Sequence, residues 1–272
     1  MTTGPLRKMG SQAGHPVDYR LRIADAELAL TPKVGHHFAL RFEGEIRCAN
    51  CGRTTRKSYS QGYCFPCSQR LAACDLCIVR PERCHFDQGT CREPEWGQAH
   101  CMQPHFVYLA NTSGLKVGIT RAHQGMTRWI DQGASQALPI LEAASRHVSG
   151  LAEIALGRHV ADRTDWRAML RGPAADVELN AERDRLLALC ADELDSIRTR
   201  FGADALRPLA DREPLQIEYP VLHYPDKIRS LNLDKTPEIA GVLHGIKGQY
   251  LIFDSGVLNV RKFSAYIVSV ES

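Results

Sequence analysis

The sequence predicts a mixed α+β protein that is stapled by metal ions and ends in a small β-barrel or curled β-sheet. Three observations support this fold class. Nine of the ten cysteines lie between Cys48 and Cys101, apolar residues recur at helical spacing in the middle of the chain, and alternating apolar residues begin at Leu215. With 44% hydrophobic residues among 272, the chain can bury a core. It has no run of about 20 apolar residues, so we expect no membrane span.

The chain before the first cysteine divides into two parts. Residues 1–16 are mostly polar and contain glycine, so we expect a flexible N-terminus. Residues 17–47 contain two alternating apolar runs, which predict strands at Tyr19–Ile23 and Phe38–Phe42. We expect these two strands to complete the C-terminal sheet.

The first four cysteines predict a structural zinc site. Cys48, Cys51, Cys64 and Cys67 form two CxxC pairs separated by twelve residues, the spacing of a zinc ribbon or knuckle. Four thiolates leave no position for a catalytic water. The alternative is disulfide bonds in a secreted protein. It is disfavoured because the first residues contain no apolar signal segment. Reduced cysteines in turn indicate a cytoplasmic protein.

The cysteines that follow predict a second metal next to the first. They are interleaved with histidines and exceed what one tetrahedral site can use; the candidate ligands are Cys74, Cys77, Cys84, Cys91, Cys101, His85 and His105. The ligand set stays open between one that uses the third CxxC, at Cys74 and Cys77, and one made of Cys77, Cys84, Cys91 and Cys101. Either histidine could replace a thiolate. Zinc is favoured, and an iron–sulfur cluster is the alternative. Residues 48–105 would thus form one metal-binding module.

The first cysteine loop also carries a basic and aromatic surface. Arg53, Arg56 and Lys57 have no acidic neighbour between Cys48 and Arg70, and Tyr59 lies beside them. Cations that contact phosphates and aromatic faces on which bases stack are typical of nucleic-acid binding. The alternative is a solvated basic loop whose aromatic residues pack on the metal site. The net charge of +3 is too small to decide between them.

The remaining elements alternate between helix and strand. A β-hairpin is predicted at 106–110 and 115–119, and helices at 126–132 and 151–160 complete an α/β core over residues 106–172. The longest helix is expected within 173–202. Residues 203–272 are predicted to form the C-terminal β domain, with strands at 215–219, 221–224, 228–233, 239–243, 249–253 and 257–270.

The central segment resembles the core of GIY-YIG nucleases. The resemblance lies in Tyr108 of Phe106-Val107-Tyr108, in Lys116-Val117-Gly118, in Arg128 and in Glu153. Lys116 replaces the usual second tyrosine, and Gln132 stands where some members have His or Tyr. The resemblance implies a phosphodiester site in which Tyr108 or Lys116 is the base, Arg128 binds phosphate and Glu153 binds Mg²⁺, with Arg121 at the strand-to-helix turn completing the catalytic residues.

The chain from about Tyr19 to Tyr266 also resembles a bacterial family called domain of unknown function 2797. The strings that carry the resemblance include Cys64-Phe65-Pro66-Cys67, Gly89-Thr90-Cys91-Arg92-Glu93-Pro94 and Gly245-Ile246-Lys247-Gly248-Gln249-Tyr250. This family implies no activity.

Three functions follow from these residues as hypotheses. The first is a metal-stapled, GIY-YIG-like phosphodiesterase or endonuclease on DNA or RNA. The second is a catalytically silent zinc-dependent RNA- or DNA-binding module, associated with translation or tRNA. The third is a metal or redox enzyme that uses the Cys74–Cys101 cluster.

Overall fold

The computed structural model describes residues 1–160 and 165–271. Its strands are β1 (Thr2–Pro5), β2 (Gly10–Gln12), β3 (Asp18–Ile23), β4 (Ala26–Ala29), β5 (His37–Ile46), β6 (His105–Asn111), β7 (Leu115–Arg121), β8 (Gln136–Ala143), β9 (Leu206–Pro208), β10 (Leu215–Gln216), β11 (Glu238–Lys247), β12 (Tyr250–Phe253), β13 (Gly256–Asn259) and β14 (Tyr266–Val270). Its α-helices are α1 (Phe65–Arg70), α2 (Pro94–His100), α3 (Gly125–Asp131), α4 (Arg146–Gly157), α5 (Trp166–Met169), α6 (Leu179–Leu189) and α7 (Ala191–Phe201). Among the described residues, no helix combines the length and the apolar character needed to cross a membrane.

The largest sheet joins the two ends of the chain. Its antiparallel order is β1-β14-β5-β11-β12-β13. β5, which contains the predicted strand Phe38–Phe42, therefore belongs to the C-terminal sheet. β3, which contains the predicted strand Tyr19–Ile23, pairs instead with β2 and β4 in a separate sheet. Within the described residues the edge strands β1 and β13 do not pair with each other. The sheet is open, and the expected barrel or curled sheet is not formed.

Two of the expected C-terminal strands form only isolated bridges. Val221 bridges Gly245 and Ser230 bridges Val257, but no strand develops over 221–224 or 228–233. Pro220 and Pro225 enclose the first of these segments, and proline cannot donate a ladder hydrogen bond. The expected strand at 215–219 shortens to β10, which pairs with β8 of the core sheet.

The N-terminal residues, for which the sequence predicts flexibility, include a strand and two buried apolar side chains. β1 pairs with β14 from Thr2 opposite Val270 onward, and the apolar side chains of Leu6 and Met9 are buried. The Met9 N–H donates to Gln249 Oε1 at 2.9 Å. Two apolar anchors and a strand partner therefore offset the entropy of ordering this short polar stretch.

The core sheet has helices on one face and the large sheet on the other. Its order is β10-β8-β6-β7, with β9 also on β8. Odd-numbered residues of β6, such as Val107 and Leu109, pack with α4, α6 and α7. Even-numbered residues, including Tyr108, pack with α3 and the large sheet. The pleat of β6 therefore selects which side chains face α3.

The long helix expected within 173–202 is two helices. α6 ends at Leu189 and α7 begins at Ala191, because Cys190 leaves the helical region with φ −107° and ψ 17°. The Cys190 side chain is fully buried against the backbone of α4, with its Sγ 3.6 Å from the Ala155 carbonyl oxygen. The apolar stripe of the sequence thus continues across a break that its spacing does not reveal.

Candidate functional site

The first four cysteines converge on one point. The sulfur atoms of Cys48, Cys51, Cys64 and Cys67 all lie within 4.8 Å of one another, and those of Cys51 and Cys64 are 3.7 Å apart. A tetrahedral zinc with Zn–S bonds of about 2.3 Å requires sulfur atoms about 3.8 Å apart. This group therefore has the donors and spacing of a structural metal site such as zinc.

Backbone geometry prepares Cys48 for a metal. Burial raises the pKa of Cys48, but N–H groups of Cys51, Cys64 and Asn50 point at its sulfur and lower the pKa to about 6. Asn50 Nδ2 also donates to Cys67 Sγ at 3.4 Å. At Cys67 the hydrogen bond from Asn50 lowers the pKa, but burial and the other three thiols together raise it to about 11. Thiolates are the form that binds metal, so donors aimed at sulfur stabilise the metal-binding state.

The later cysteines surround a second site, but not as the third CxxC predicts. Cys74 lies beside Ser60 in the loop of the first quartet. A small cavity of about 10 Å³ is lined by Cys77, Cys84, Cys91 and Cys101 together with Asp75 and His85. The ligand atoms of Asp75, Cys77 and His85 lie within 4.8 Å of one another. Asp75 was absent from the predicted ligands, since only its position between Cys74 and Cys77 could have indicated it.

His105 lies apart from both groups of ligand atoms. It is fully buried; its Nδ1 is 2.6 Å from the Gln103 carbonyl oxygen, and its Nε2 has no hydrogen-bond partner among the described residues. Burial, aided by the charges of Arg146 and Arg121, lowers the pKa of His105 to about 4, and the Gln103 carbonyl opposes this shift. His105 is thus a neutral imidazole whose Nδ1–H is donated to the backbone.

Tyr108 is the centre of the candidate phosphodiester site. It lies on β6 directly opposite Gly118 of β7 and is 0% exposed. Its hydroxyl donates to Gln132 Oε1 at 3.0 Å. A Cβ on Gly118 would stand 2.6 Å from the Tyr108 hydroxyl, so the glycine of Lys116-Val117-Gly118 provides the space for the phenol. Lys116 is buried and shares the Tyr108 face of the sheet, since it is two residues from Gly118.

Charged side chains of α3 and α4 affect the pKa of this tyrosine. Burial raises the pKa of Tyr108; the charge of Arg128 on α3 opposes the rise, and Glu153 on α4 adds to it. Arg146, at the start of α4, also interacts with the charges of Arg128 and Glu153. The charges of Arg128, Glu153 and Arg146 thus act on one another near Tyr108, and Arg146 is an addition that the sequence did not indicate.

Arg121 has a different environment. It ends β7 opposite His105, and its charge affects the pKa values of His105 and Cys101. These interactions place it toward the second cysteine group rather than beside Tyr108.

The charge of Arg128 also acts on an arginine of the C-terminal sheet. Burial and the nearby charge of Arg128 lower the pKa of Arg261, which lies in the short turn between β13 and β14. Its Nε donates to Gln61 Oε1 in the loop of the first quartet. Asp131, at the end of α3, pairs with Lys8 and accepts a hydrogen bond from Gln249 Nε2 at 2.9 Å. These contacts cross between distant segments, so no local sequence signal indicates them.

The predicted nucleic-acid residues lie on the first cysteine loop. Arg53, Arg56 and Lys57 are exposed. The rings of Tyr59 and Phe65 pack edge-to-face with centroids 5.6 Å apart, and Phe65 remains 55% exposed. The loop therefore presents cations and one aromatic face to solvent.

The comparisons with known proteins give one family. Residues 35–268 match the family described as "Protein of unknown function (DUF2797)", and the chain belongs to this family. No curated protein matches the chain, and no solved structure matches it.

Proposed function

We propose that this DUF2797 protein binds nucleic acid and cleaves a phosphodiester at the site formed by Tyr108, Arg128 and Glu153. The observation that carries the proposal is electrostatic: the charge of Arg128 acts on Arg261 and on the buried Tyr108, and the charge of Glu153 acts on Tyr108 as well. Two like charges held close together favour an anion between them. A phosphate group is the anion that planar guanidinium groups bind best.

The residues have the roles that phosphodiester hydrolysis needs. Arg128 and Arg261 would bind the non-bridging oxygens and offset the charge that develops there. Glu153 is an oxygen donor of the kind that Mg²⁺ prefers, and a site with one carboxylate relies on substrate phosphate for further ligands. When bound, that metal would stabilise the leaving oxygen. The resemblance of the central segment to GIY-YIG nucleases supports the same roles.

The first cysteine loop extends the proposed contact surface. Gln61 in this loop bonds Arg261, so the loop that carries Arg53, Arg56 and Lys57 adjoins the phosphate-binding arginines. A strand bound at Arg128 could thus contact the loop through its backbone phosphates, and Phe65 offers a face for a base.

A second candidate function is nucleic-acid binding without cleavage. One observation favours it: burial raises the pKa of Tyr108, so the phenol stays protonated and donates to Gln132 instead of accepting a proton from water. In that case Lys116 would have to be the base, or the site would only hold a phosphate.

Two substitutions distinguish the two functions. Glu153→Ala should abolish Mg²⁺-dependent cleavage of labelled DNA or RNA and leave binding nearly unchanged, because a metal ligand contributes mainly to the transition state. Arg128→Ala should weaken binding and lower the salt dependence by about 0.7 in slope for a single strand. The controls are Asp211→Ala and Arg171→Ala, which remove exposed charges elsewhere.

The wild-type protein decides between the outcomes. Binding without cleavage of any strand in Mg²⁺ or Mn²⁺ would establish the binding function and exclude the nuclease. Failure to bind any DNA or RNA at low ionic strength would exclude both.

A further inference from the structure

The segment between the first quartet and β6 has almost no hydrophobic core. It consists of short turns of 3-10 helix and the seven-residue α2. None of the hydrophobic clusters formed by the described residues includes a residue between 72 and 104, and Val79 is 75% exposed. A stretch of this kind needs another source of folding free energy, and in a cysteine-rich segment metal coordination supplies it.

Four cysteines of this segment line one small cavity, and of these only Cys77 belongs to a group of ligand atoms within 4.8 Å of one another among the described residues. Cys77, Cys84, Cys91 and Cys101 all line the same small cavity. Each comes from a different part of the segment: Cys77 from the turn at Leu76–Ile78, Cys84 from the end of the turn at Pro81–Arg83, and Cys101 from the end of α2. Cys91 packs against α2, where a Cβ on Gly97 would lie 3.1 Å from its sulfur. Four thiols from separate parts of the segment would cross-link it through one centre.

Cations lie around these thiols, as a tetrathiolate centre requires. Arg92 lines the cavity, and the charge of Arg146 acts on Cys101 and Cys84. A divalent metal with four thiolates has a net charge of −2, so nearby guanidinium groups stabilise it.

Asp75 and His85 contact each other and also Arg92 and Thr90. The Asp75 carboxylate forms an ion pair with Arg92 Nε at 2.6 Å, and it accepts the Cys77 N–H at 3.3 Å. His85 Nδ1 lies 2.8 Å from Thr90 Oγ1, and its Nε2 lies 3.6 Å from Asp75. Through these contacts, Asp75 and His85 hold the turns around the cysteines in place.

We propose that Cys77, Cys84, Cys91 and Cys101 together bind a second, all-thiolate metal centre, and that this centre anchors α4. The anchoring follows from the contacts of the turn between Cys77 and Cys84. Arg146 donates from its side chain to the Ile78 carbonyl and from its backbone to the Cys101 carbonyl. Gly150 lies so close to this turn that a Cβ would meet Pro81 at 2.4 Å.

The proposed occupant is a thiophilic metal, either zinc or the iron of an iron–sulfur cluster. Analysis of the bound metal distinguishes these two. Iron with acid-labile sulfide and visible absorption identifies an iron–sulfur cluster, whereas a second zinc without sulfide identifies a mononuclear site. The proposal does not depend on the proposed function, because metal is measured without nucleic acid.

The experiment measures zinc, iron and sulfide per chain in full-length protein purified without oxygen. Wild type should contain two centres, and Cys84→Ser and Cys91→Ser should each lose one while they retain the zinc of the first quartet. Cys74→Ser and Cys190→Ser, which remove cysteines outside both sites, should retain both. Hydrogen exchange of residues 146–157 should rise in Cys91→Ser and stay unchanged in Cys74→Ser.

Wild-type protein also provides a test that requires no variant to fold. X-ray absorption should show four sulfur ligands, with no nitrogen or oxygen ligand, averaged over the protein-bound metals. Three results would each overturn the proposal. The first is one metal per chain, and the second is a mixed ligand shell. The third is loss of the second metal in Asp75→Asn and His85→Gln while Cys91→Ser retains it.

Discussion

At the scale of single residues, the candidate site depends on one glycine. Gly118 leaves the space in which the Tyr108 hydroxyl reaches Gln132. The motifs along the predicted hairpin indicated both Tyr108 and Gly118 in the sequence. The sequence could not predict that the phenol would be fully buried, because burial depends on α3 and the large sheet packing over it.

Gly118→Ala should therefore destabilise the protein and disturb the site. The new methyl group would overlap the Tyr108 hydroxyl, and overpacking of this kind typically costs about 1–3 kcal/mol. Urea unfolding would measure the loss, and nucleic-acid binding would measure the disturbance. Gly10→Ala is the matched control, since its Cβ would make only ordinary contacts within a strand. Equal stability of the two variants would contradict the packing argument.

His105 should make stability depend on pH. Its pKa is about 4 in the folded protein, against about 6.5 when unfolded, so the unfolded state binds more protons between these values. The free energy of unfolding should then fall as pH decreases from 6.5 toward 4, by up to about 3 kcal/mol from this residue.

The matched variant is His105→Asn, which can still donate to the Gln103 carbonyl but does not titrate. Thiolate protonation affects both proteins alike, so the difference between their unfolding free energies isolates the imidazole. Parallel pH profiles for wild type and variant would show that His105 is not the cause.

At the scale of elements, local sequence patterns predicted the strands and helices that local interactions determine. The hairpin of β6 and β7 appears where alternating runs enclose a turn, and α3 appears within a residue of its predicted bounds. α4 begins earlier than predicted, because the Ser145 side chain accepts the Val148 N–H and caps the helix at Arg146.

Elements set by distant partners were missed. β8 contains Pro139, which argues against a central strand, but the structure places it at a register shift opposite Tyr108, where a ladder hydrogen bond is not needed. β1 likewise forms only because β14 lies beside it. Neither partner can be deduced from the local pattern.

Gly150→Ala tests the packing of α4 against the second cysteine group. The added Cβ would meet Pro81 at 2.4 Å and the Glu82 backbone nitrogen at 3.0 Å, so either α4 or the turn must move. We expect a loss of about 1–3 kcal/mol in unfolding free energy, despite the better helix propensity of alanine. Gly157→Ala on the same helix meets nothing within 4 Å and should be neutral or stabilising. Two neutral variants would show that α4 and this turn pack loosely.

At the scale of the whole molecule, the two cysteine groups support the candidate site from different sides. The first quartet holds the loop in which Gln61 bonds Arg261, and Arg261 acts on Arg128. The second group contacts the start of α4, which carries Glu153 farther along. The sequence indicated the metal ligands and the candidate site separately. The contacts that connect them are seen only in the folded chain.

The connection through Arg261 predicts a specific loss of nucleic-acid affinity. Arg261→Ala should weaken binding because it removes a cation whose charge acts together with that of Arg128, and the salt dependence should fall by about 0.7 in slope for a single strand. Lys262→Ala is the matched control: it removes the same charge from the adjacent, exposed residue. Fluorescence anisotropy with a labelled strand over a salt series measures both.

The loop should transmit part of this effect. Gln61→Ala removes the partner that holds Arg261 but no charge, so affinity should fall by less than in Arg261→Ala while the salt slope stays near that of wild type. In the double variant, Gln61→Ala should add little to Arg261→Ala, because its effect passes through that arginine. If the losses of affinity in the two single variants add in the double variant, the loop contacts nucleic acid independently of Arg261. If Arg261→Ala and Lys262→Ala lose equal affinity, the effect depends only on net charge.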